Sequence, residues 1–248
     1  MEKIYLKKEE VKKLIPIFKN EGTENFRYYT EIDGIKYVIN IFQKQNSDII
    51  KDKIYKLERL NDFNFSKNII VPDKIVYIDN IPMGFSTKLQ ENTRNLEEYV
   101  FKSKKKKIEL LQKAKDLVIE LNEKNIVHCD INNHNFITDG NEVYLLDMLS
   151  CEFDDFKNYK NNILYTKYIK KFGYIDKSFD IYSFNMMTYG FLYKIYLTSI
   201  EMNIRNGNFS IFEKKKIIEM YNNLLLFDDN SYDDNFIIDE YQKKIKLI

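Results

Sequence analysis

Residues 126–147, IVHCDINNHNFITDGNEVYLLD, gather both histidines of the chain, three aspartates and several asparagines around two short apolar runs. His128, Asp130 and Asn135 fall at the spacing H-x-D-I-x-x-x-N, and the second apolar run, 143–146, delivers Asp147. Carboxylate and amide oxygens of this kind suit a hard cation with an oxygen shell. A zinc site from His128, Cys129, Asp130 and His134 is a second chemistry, but the spacing is not that of a structural zinc site and no further Cys/His pair accompanies it. The plainest alternative is a polar surface loop that precedes a hairpin.

The flanking elements must position these residues. Asp139-Gly140-Asn141 is a strong hairpin signal between strands expected at 135–138 and 142–146, a device that folds Asp147 back beside Asn135. Upstream, 104–124 carries Ile108, Leu111, Ala114 or Lys115, Val118 and Leu121 on one face, which predicts a long amphipathic helix running into the His128 loop. The lysine-rich run at 102–107 reads as the solvated start of that helix rather than as a phosphate patch. Downstream, SFDIYSFNMMTYGFLYKI at 178–195 predicts a helix apolar on all sides and therefore buried, with Ser178 as cap and Asp180 in its first turn.

Further out, Val11, Leu14, Ile15 and Phe18 have helical spacing, so a short helix is expected over 7–18, with Pro16 able to end it early. Strands are expected at 26–31 and 36–42 around Asp33-Gly34, then a helix on Ile50, Ile54, Leu57 and Leu60, then two strands turning at Asp79-Asn80. Residues 150–177 are polar and aromatic with few periodic cues, and a final helical pair is expected at 212–226 and 234–246.

The spacing His128, Asp130, Asn135 followed by Asp147 resembles the catalytic loop and metal-binding aspartate of protein kinases. The order hairpin, helix, hairpin, hinge, long helix, loop, aspartate and buried helix resembles the protein-kinase-like superfamily over about 22–196. The resemblance implies an α+β, two-lobed fold: a small antiparallel sheet with one helix at 1–89, and a mainly helical lobe at 90–248. It implies ATP and Mg2+ as cofactors, Asp130 as the base that orients the acceptor hydroxyl, and Asn135 and Asp147 as metal ligands, because phosphoryl transfer is chiefly positioning and charge stabilisation. It makes His128 an internal strut, has Asp180 hydrogen-bond the backbone of the catalytic loop, places Gly22 in the loop nearest the phosphates, and brings backbone groups of Lys88, Leu89 and Gln90 to adenine.

Three departures bear on function. Asn40 stands where the V-A-I-K strand lysine would hold the phosphates, and carries no charge. Lys36 and Lys44 share its strand face but start roughly 13 Å away. In the partner helix Asp52 and Glu58 are the acidic candidates for the lysine's counterpart. Asn132 occupies the place of a lysine usual in Ser/Thr kinases, and neither the glycine after Asp147-Met148 nor an A-P-E follows. The expectation is an ATP- and magnesium-dependent phosphotransferase acting on a protein or small-molecule hydroxyl; the alternative is a pseudokinase acting as a nucleotide-binding or interaction module.

With 39 basic and 38 acidic side chains the chain presents no global field for nucleic acid or an anionic membrane. Two cysteines, Cys129 and Cys151, and no apolar run of membrane-spanning length lead to the expectation of a reduced, cytoplasmic protein.

Overall fold

The structure is a computed structural model and describes residues 1–17, 25–43, 46–158 and 163–193. It is α+β, and its described residues form two compact units. The first comprises Met1–Thr93 with Leu146–Leu149, and the second Arg94–Leu145 with the described residues from Ser150 onward. The boundary lies four residues beyond the expected 89, and the segment carrying Asp147 belongs to the first unit rather than the second.

The first unit is built on a six-stranded sheet: β1 (Glu2–Leu6), β2 (Ile15–Pro16), β3 (Asn25–Ile32), β4 (Ile35–Phe42), β5 (Lys74–Ile78) and β6 (Ile81–Lys88), in the order β1-β5-β6-β4-β3-β2. The expected hairpins form where their turn residues allow. Asp33 and Gly34 both have positive φ, at 52° and 76°, as do Asp79 and Asn80, at 50° and 66°. These are the left-handed pairs that match the twist of two flanking strands. The sheet is mixed rather than antiparallel, because β1 pairs parallel to β5, from Glu2 opposite Lys74 to Leu6 opposite Ile78.

The helix expected over 7–18 is corrected to one turn, α1 (Lys8–Val11), followed by β2; Phe18 lies outside the described residues. Pro16 disfavours a helical backbone at Ile15 and cannot donate to the preceding turn, so the chain extends and pairs with Tyr28 and Tyr29. Val11 and Leu14 still bury their apolar sides, against the cluster of Ile4, Ile39, Ile41 and Val76 on one face of the sheet.

Helix α2 (Ser47–Leu60) begins at Asn46, whose side chain accepts the Asp48 amide at 3.0 Å. Its inward stripe includes Ile50, Ile54, Leu57 and Leu60, as the periodicity predicts, and full burial of such a side chain is worth roughly 1.5–3 kcal/mol. The same stripe also buries Lys53 and Lys56.

In the second unit, α3 (Lys104–Glu123) is capped by Ser103, which accepts the Lys106 amide at 3.3 Å. A three-stranded sheet of β7 (Arg94–Asn95), β8 (Phe136–Thr138) and β9 (Val143–Leu145) follows the order β7-β8-β9. Two further helices are α4 (Ile163–Phe172) and α5 (Lys177–Tyr193). The sequence reading did not expect α4. The cap of α5 is Asp176, which accepts the Ser178 amide at 3.0 Å, and not Ser178 itself. The lysine run is solvated except at Lys107, which is buried and donates to the Phe191 and Leu192 carbonyls at 3.2 and 2.7 Å near the end of α5. The helical pair expected after 212 lies outside the described residues.

Candidate functional site

Asp180, in the first turn of α5 and fully buried, accepts the backbone amides of His128 at 2.6 Å and Cys129 at 3.0 Å, one on each carboxylate oxygen. Burial pushes its pKa up to about 7; the two amides pull it down, and the negative charge of Asp130 adds to the rise. Val127 and Glu152 exchange amide-to-carbonyl bonds at 2.9 and 2.7 Å, fixing the chain just before the loop. The Cys129 side chain enters an apolar cluster with Tyr168, Phe179, Tyr182 and Met186.

With its amide and side chain both committed inward, Cys129 takes φ 63°, a left-handed conformation uncommon for a non-glycine residue. That bend lets Asp130, the next residue, keep partial exposure. His128 is fully buried.

Two asparagines then bracket the Asp130 carboxylate. Asn132 Nδ2 donates to Oδ1 and Asn135 Nδ2 donates to Oδ2, each at 3.0 Å, and both also donate to the Asp130 carbonyl, at 3.0 and 2.7 Å. Asn132 Oδ1 in turn accepts the amides of His134 at 2.9 Å and Asn135 at 3.3 Å, closing the loop on itself. The carboxylate is thus held by neutral donors at a fixed angle. Sequence reasoning missed this role of Asn132, although an asparagine two residues from a loop aspartate is a local turn signal.

With Nδ2 of Asn135 committed to Asp130, Oδ1 is the acceptor atom of that side chain. Asp147 is half-buried, has φ 64°, and opens a 3-10 turn at Met148–Ser150. An amide oxygen and a carboxylate are each donors of the kind magnesium takes alongside waters and phosphate oxygens; Asn135 belongs to the second unit and Asp147 to the first. Among the described residues no three His, Cys, Asp or Glu side chains gather as a metal cluster, the zinc set included. His134 is exposed, with Nδ1 3.2 Å from Glu97.

The turn between β8 and β9 forms as expected. Asp139 Oδ1 accepts the Asn141 and Glu142 amides, both at 2.7 Å, and these bonds hold its carboxyl below the usual carboxylate range. Thr138 Oγ1 donates to the Glu142 carbonyl at 2.5 Å.

On the first unit, Asn40 lies on β4 opposite Arg27 and Phe85 and is buried. The acidic candidates on α2 are corrected: Asp52 and Glu58 are exposed, and the charged side chains enclosed on that helix are the cations Lys53 and Lys56. Lys53 Nζ lies 5.3 Å from the centroid of the Phe42 ring, and Lys56 Nζ donates to the Leu149 carbonyl at 2.9 Å. Their positions, three residues from Ile50 and four from Leu60, carried a signal by spacing that hydropathy hid.

Of the groups assigned to adenine, the Leu89 amide donates to the Lys36 carbonyl at 2.9 Å and the Gln90 carbonyl accepts the Thr93 hydroxyl at 2.7 Å. Lys88 instead lines an open pocket of about 740 Å³ with Glu2, Tyr37, Asp73 and Lys74. Within it Lys74 pairs with Glu2, and burial raises the Asp73 carboxyl above its ordinary pKa against the opposing bond from Ser86. Gly22 lies outside the described residues.

No protein-family model and no curated protein matches this chain. The functional reading therefore rests on the loop itself. Among the described residues no helix is long and apolar enough to cross a membrane.

Proposed function

We propose that the protein is an ATP- and magnesium-dependent phosphotransferase of two-lobed, protein-kinase-like fold that passes the γ-phosphate to a hydroxyl of a protein or small molecule. The observation that carries the reading is the Asp130 carboxylate, held by Asn132 and Asn135 on a loop whose backbone is tied to the buried Asp180. A base for phosphoryl transfer needs an accessible oxygen at a fixed place more than it needs a strongly altered basicity. Asp130 orients the acceptor hydroxyl and takes its proton. By the resemblance, Asn135 and Asp147 would be the residues to hold magnesium, which would neutralise charge on the phosphate oxygens. Asn132 positions the base.

A second reading is favoured by one residue. Asn40 is neutral where the resemblance requires a lysine, which supports a pseudokinase that holds nucleotide and transfers phosphate poorly. Thermal unfolding with ATP, with magnesium and with both tests the shared premise, since a ligand that binds only the folded state adds RT ln(1 + [L]/Kd) to its stability. The expected result is a shift that requires both and disappears in Asp147→Asn. No shift at millimolar ligand sinks both nucleotide readings. Given a shift, Asp130→Ala separates them: it should abolish transfer while leaving nucleotide affinity intact, and transfer that survives removes Asp130 as base.

A further inference from the structure

Where the resemblance places a lysine at the phosphates, β4 carries the neutral Asn40. Three cations of the same unit are committed elsewhere: Lys36 pairs with Glu91 at 2.8 Å, Lys53 lies over the Phe42 ring at 5.3 Å, and Lys56 donates to the Leu149 carbonyl at 2.9 Å. The strand pairing supplies a fourth. Arg27 on β3 is the direct partner of Asn40, and residues opposite one another in an antiparallel pair share a face, with Cβ atoms about 4.5–5.5 Å apart. Phe85 is the partner of Asn40 on its other side, so Arg27, Asn40 and Phe85 make one row across β3, β4 and β6.

This row lies at a border. On one side of it the face is closed, because Phe42 packs against Phe85 at 5.8 Å between ring centroids and carries Lys53 of α2 over its ring. On the other side the next row is open: Tyr29 is 40% exposed, and Val38 and Thr87 are half-buried. Two uncommitted polar groups stand at the border. Asn40 is only 7% exposed, yet among the described residues its side-chain amide makes no hydrogen bond, whereas amides so enclosed are nearly always bonded. Arg27 is exposed, and among the described residues its guanidinium makes no hydrogen bond or ion pair.

We infer that Arg27 is the phosphate-binding cation of this protein: the charge sits one strand over, on β3, and the Asn40 amide beside it adds a neutral donor. The inference rests on the nucleotide-binding reading above. Arg27, Asn40 and Asp147 all belong to the first unit. A guanidinium suits this place because its planar fork meets a phosphate through two parallel N–H bonds, which fixes the orientation of an anion approached from a neighbouring strand.

The test is the affinity of the full chain for ATP with magnesium against that for adenosine, read by calorimetry. Arg27→Gln, at an exposed position, should weaken ATP binding at least about tenfold, the worth of one charge-assisted pair, and leave adenosine binding unchanged. Lys36→Gln, which removes a charge from the same face of β4, should leave ATP affinity within about twofold of wild type. Unchanged ATP affinity in Arg27→Gln overturns the inference and leaves the phosphotransferase reading standing. So does an equal loss for ATP and adenosine, which would make Arg27 a support of the sheet, or an equal loss in Lys36→Gln, which would make the effect one of overall charge. A wild-type protein that binds neither ligand overturns the nucleotide reading and the inference together.

Discussion

Asp180 accepts the His128 amide at 2.6 Å from 52 residues further along the chain, and the same helix packs Phe179, Tyr182 and Met186 around Cys129, so α5 shapes the start of the Asp130 loop through both a carboxylate and an apolar face. The carboxyl of Asp180 has a folded pKa of about 7 against an ordinary 3.8, the rise caused first by burial. Below the ordinary value both states are protonated. Above it the unfolded chain loses its proton first, so stability falls as pH rises, by about 1.4 kcal/mol per unit, until the folded pKa is reached. Urea unfolding of wild type between pH 4 and 8 should show that slope. Asp180→Asn should lack it, and parallel curves for the two proteins would contradict this assignment.

Asn132 holds both the Asp130 carboxylate and the amides of His134 and Asn135. Asn132→Ala removes all of these bonds without touching the reacting groups named above. Under the proposed function, turnover should fall roughly 100-fold from misplacement of the base, with nucleotide affinity within about threefold of wild type. Steady-state kinetics with a hydroxyl acceptor would measure it; a rise in nucleotide KM with unchanged kcat would place Asn132 elsewhere in the cycle.

Gly84, on β6, leaves no room for a methyl group. A Cβ there would press into the backbone carbonyl oxygen of Asn40 and come within 3.0 Å of the Ile41 Cα. Since neither backbone atom can move without breaking the β4–β6 pairing, Gly84→Ala should cost at least ~3 kcal/mol. Chemical denaturation measures this directly, and a loss under 1 kcal/mol would mean that the strands can part.

Lys107 joins α3 to the end of α5 through the Phe191 and Leu192 carbonyls. Lys107→Met keeps most of the stem and removes the donor. It should destabilise the chain by about 1–3 kcal/mol, the cost of leaving buried carbonyls without that partner. Lys106→Met, at a position outside the buried stripe of α3, should have an effect within about 0.5 kcal/mol.

Much of this fold was legible because its signals are local. The turns at Asp33-Gly34, Asp79-Asn80 and Asp139-Gly140 announce themselves through residues that tolerate positive φ, and the stripe of Ile108, Leu111, Ala114, Val118 and Leu121 announces α3. Strand β1 was missed because its pairing with β5 joins residues some seventy positions apart, and nothing in Glu2–Leu6 marks it. Helix α4 was missed although its signal was present. Tyr165, Tyr168 and Phe172 lie at helical spacing, and the rings of Tyr168 and Phe172 come within 4.6 Å of one another, but the surrounding lysines diluted the pattern.

At the site, the bond from Asp180 to the backbone of the His128 loop was anticipated from the sequence, because an Asp in the first turn of a buried helix needs backbone donors. Lys53, Lys56 and Asn132 were not. Their roles depend on which way a helix face turns and on hydrogen bonds closed within the loop, and a polarity scale records neither.

Asp147 sits at φ 64°, where an L-residue is strained and glycine is not. Glycine at this position would relax the backbone by about 1 kcal/mol but would also remove whatever the carboxylate holds in the fold. Under the proposed function it would cost the metal ligand as well, so that backbone ease and phosphoryl transfer would pull this one position in opposite directions.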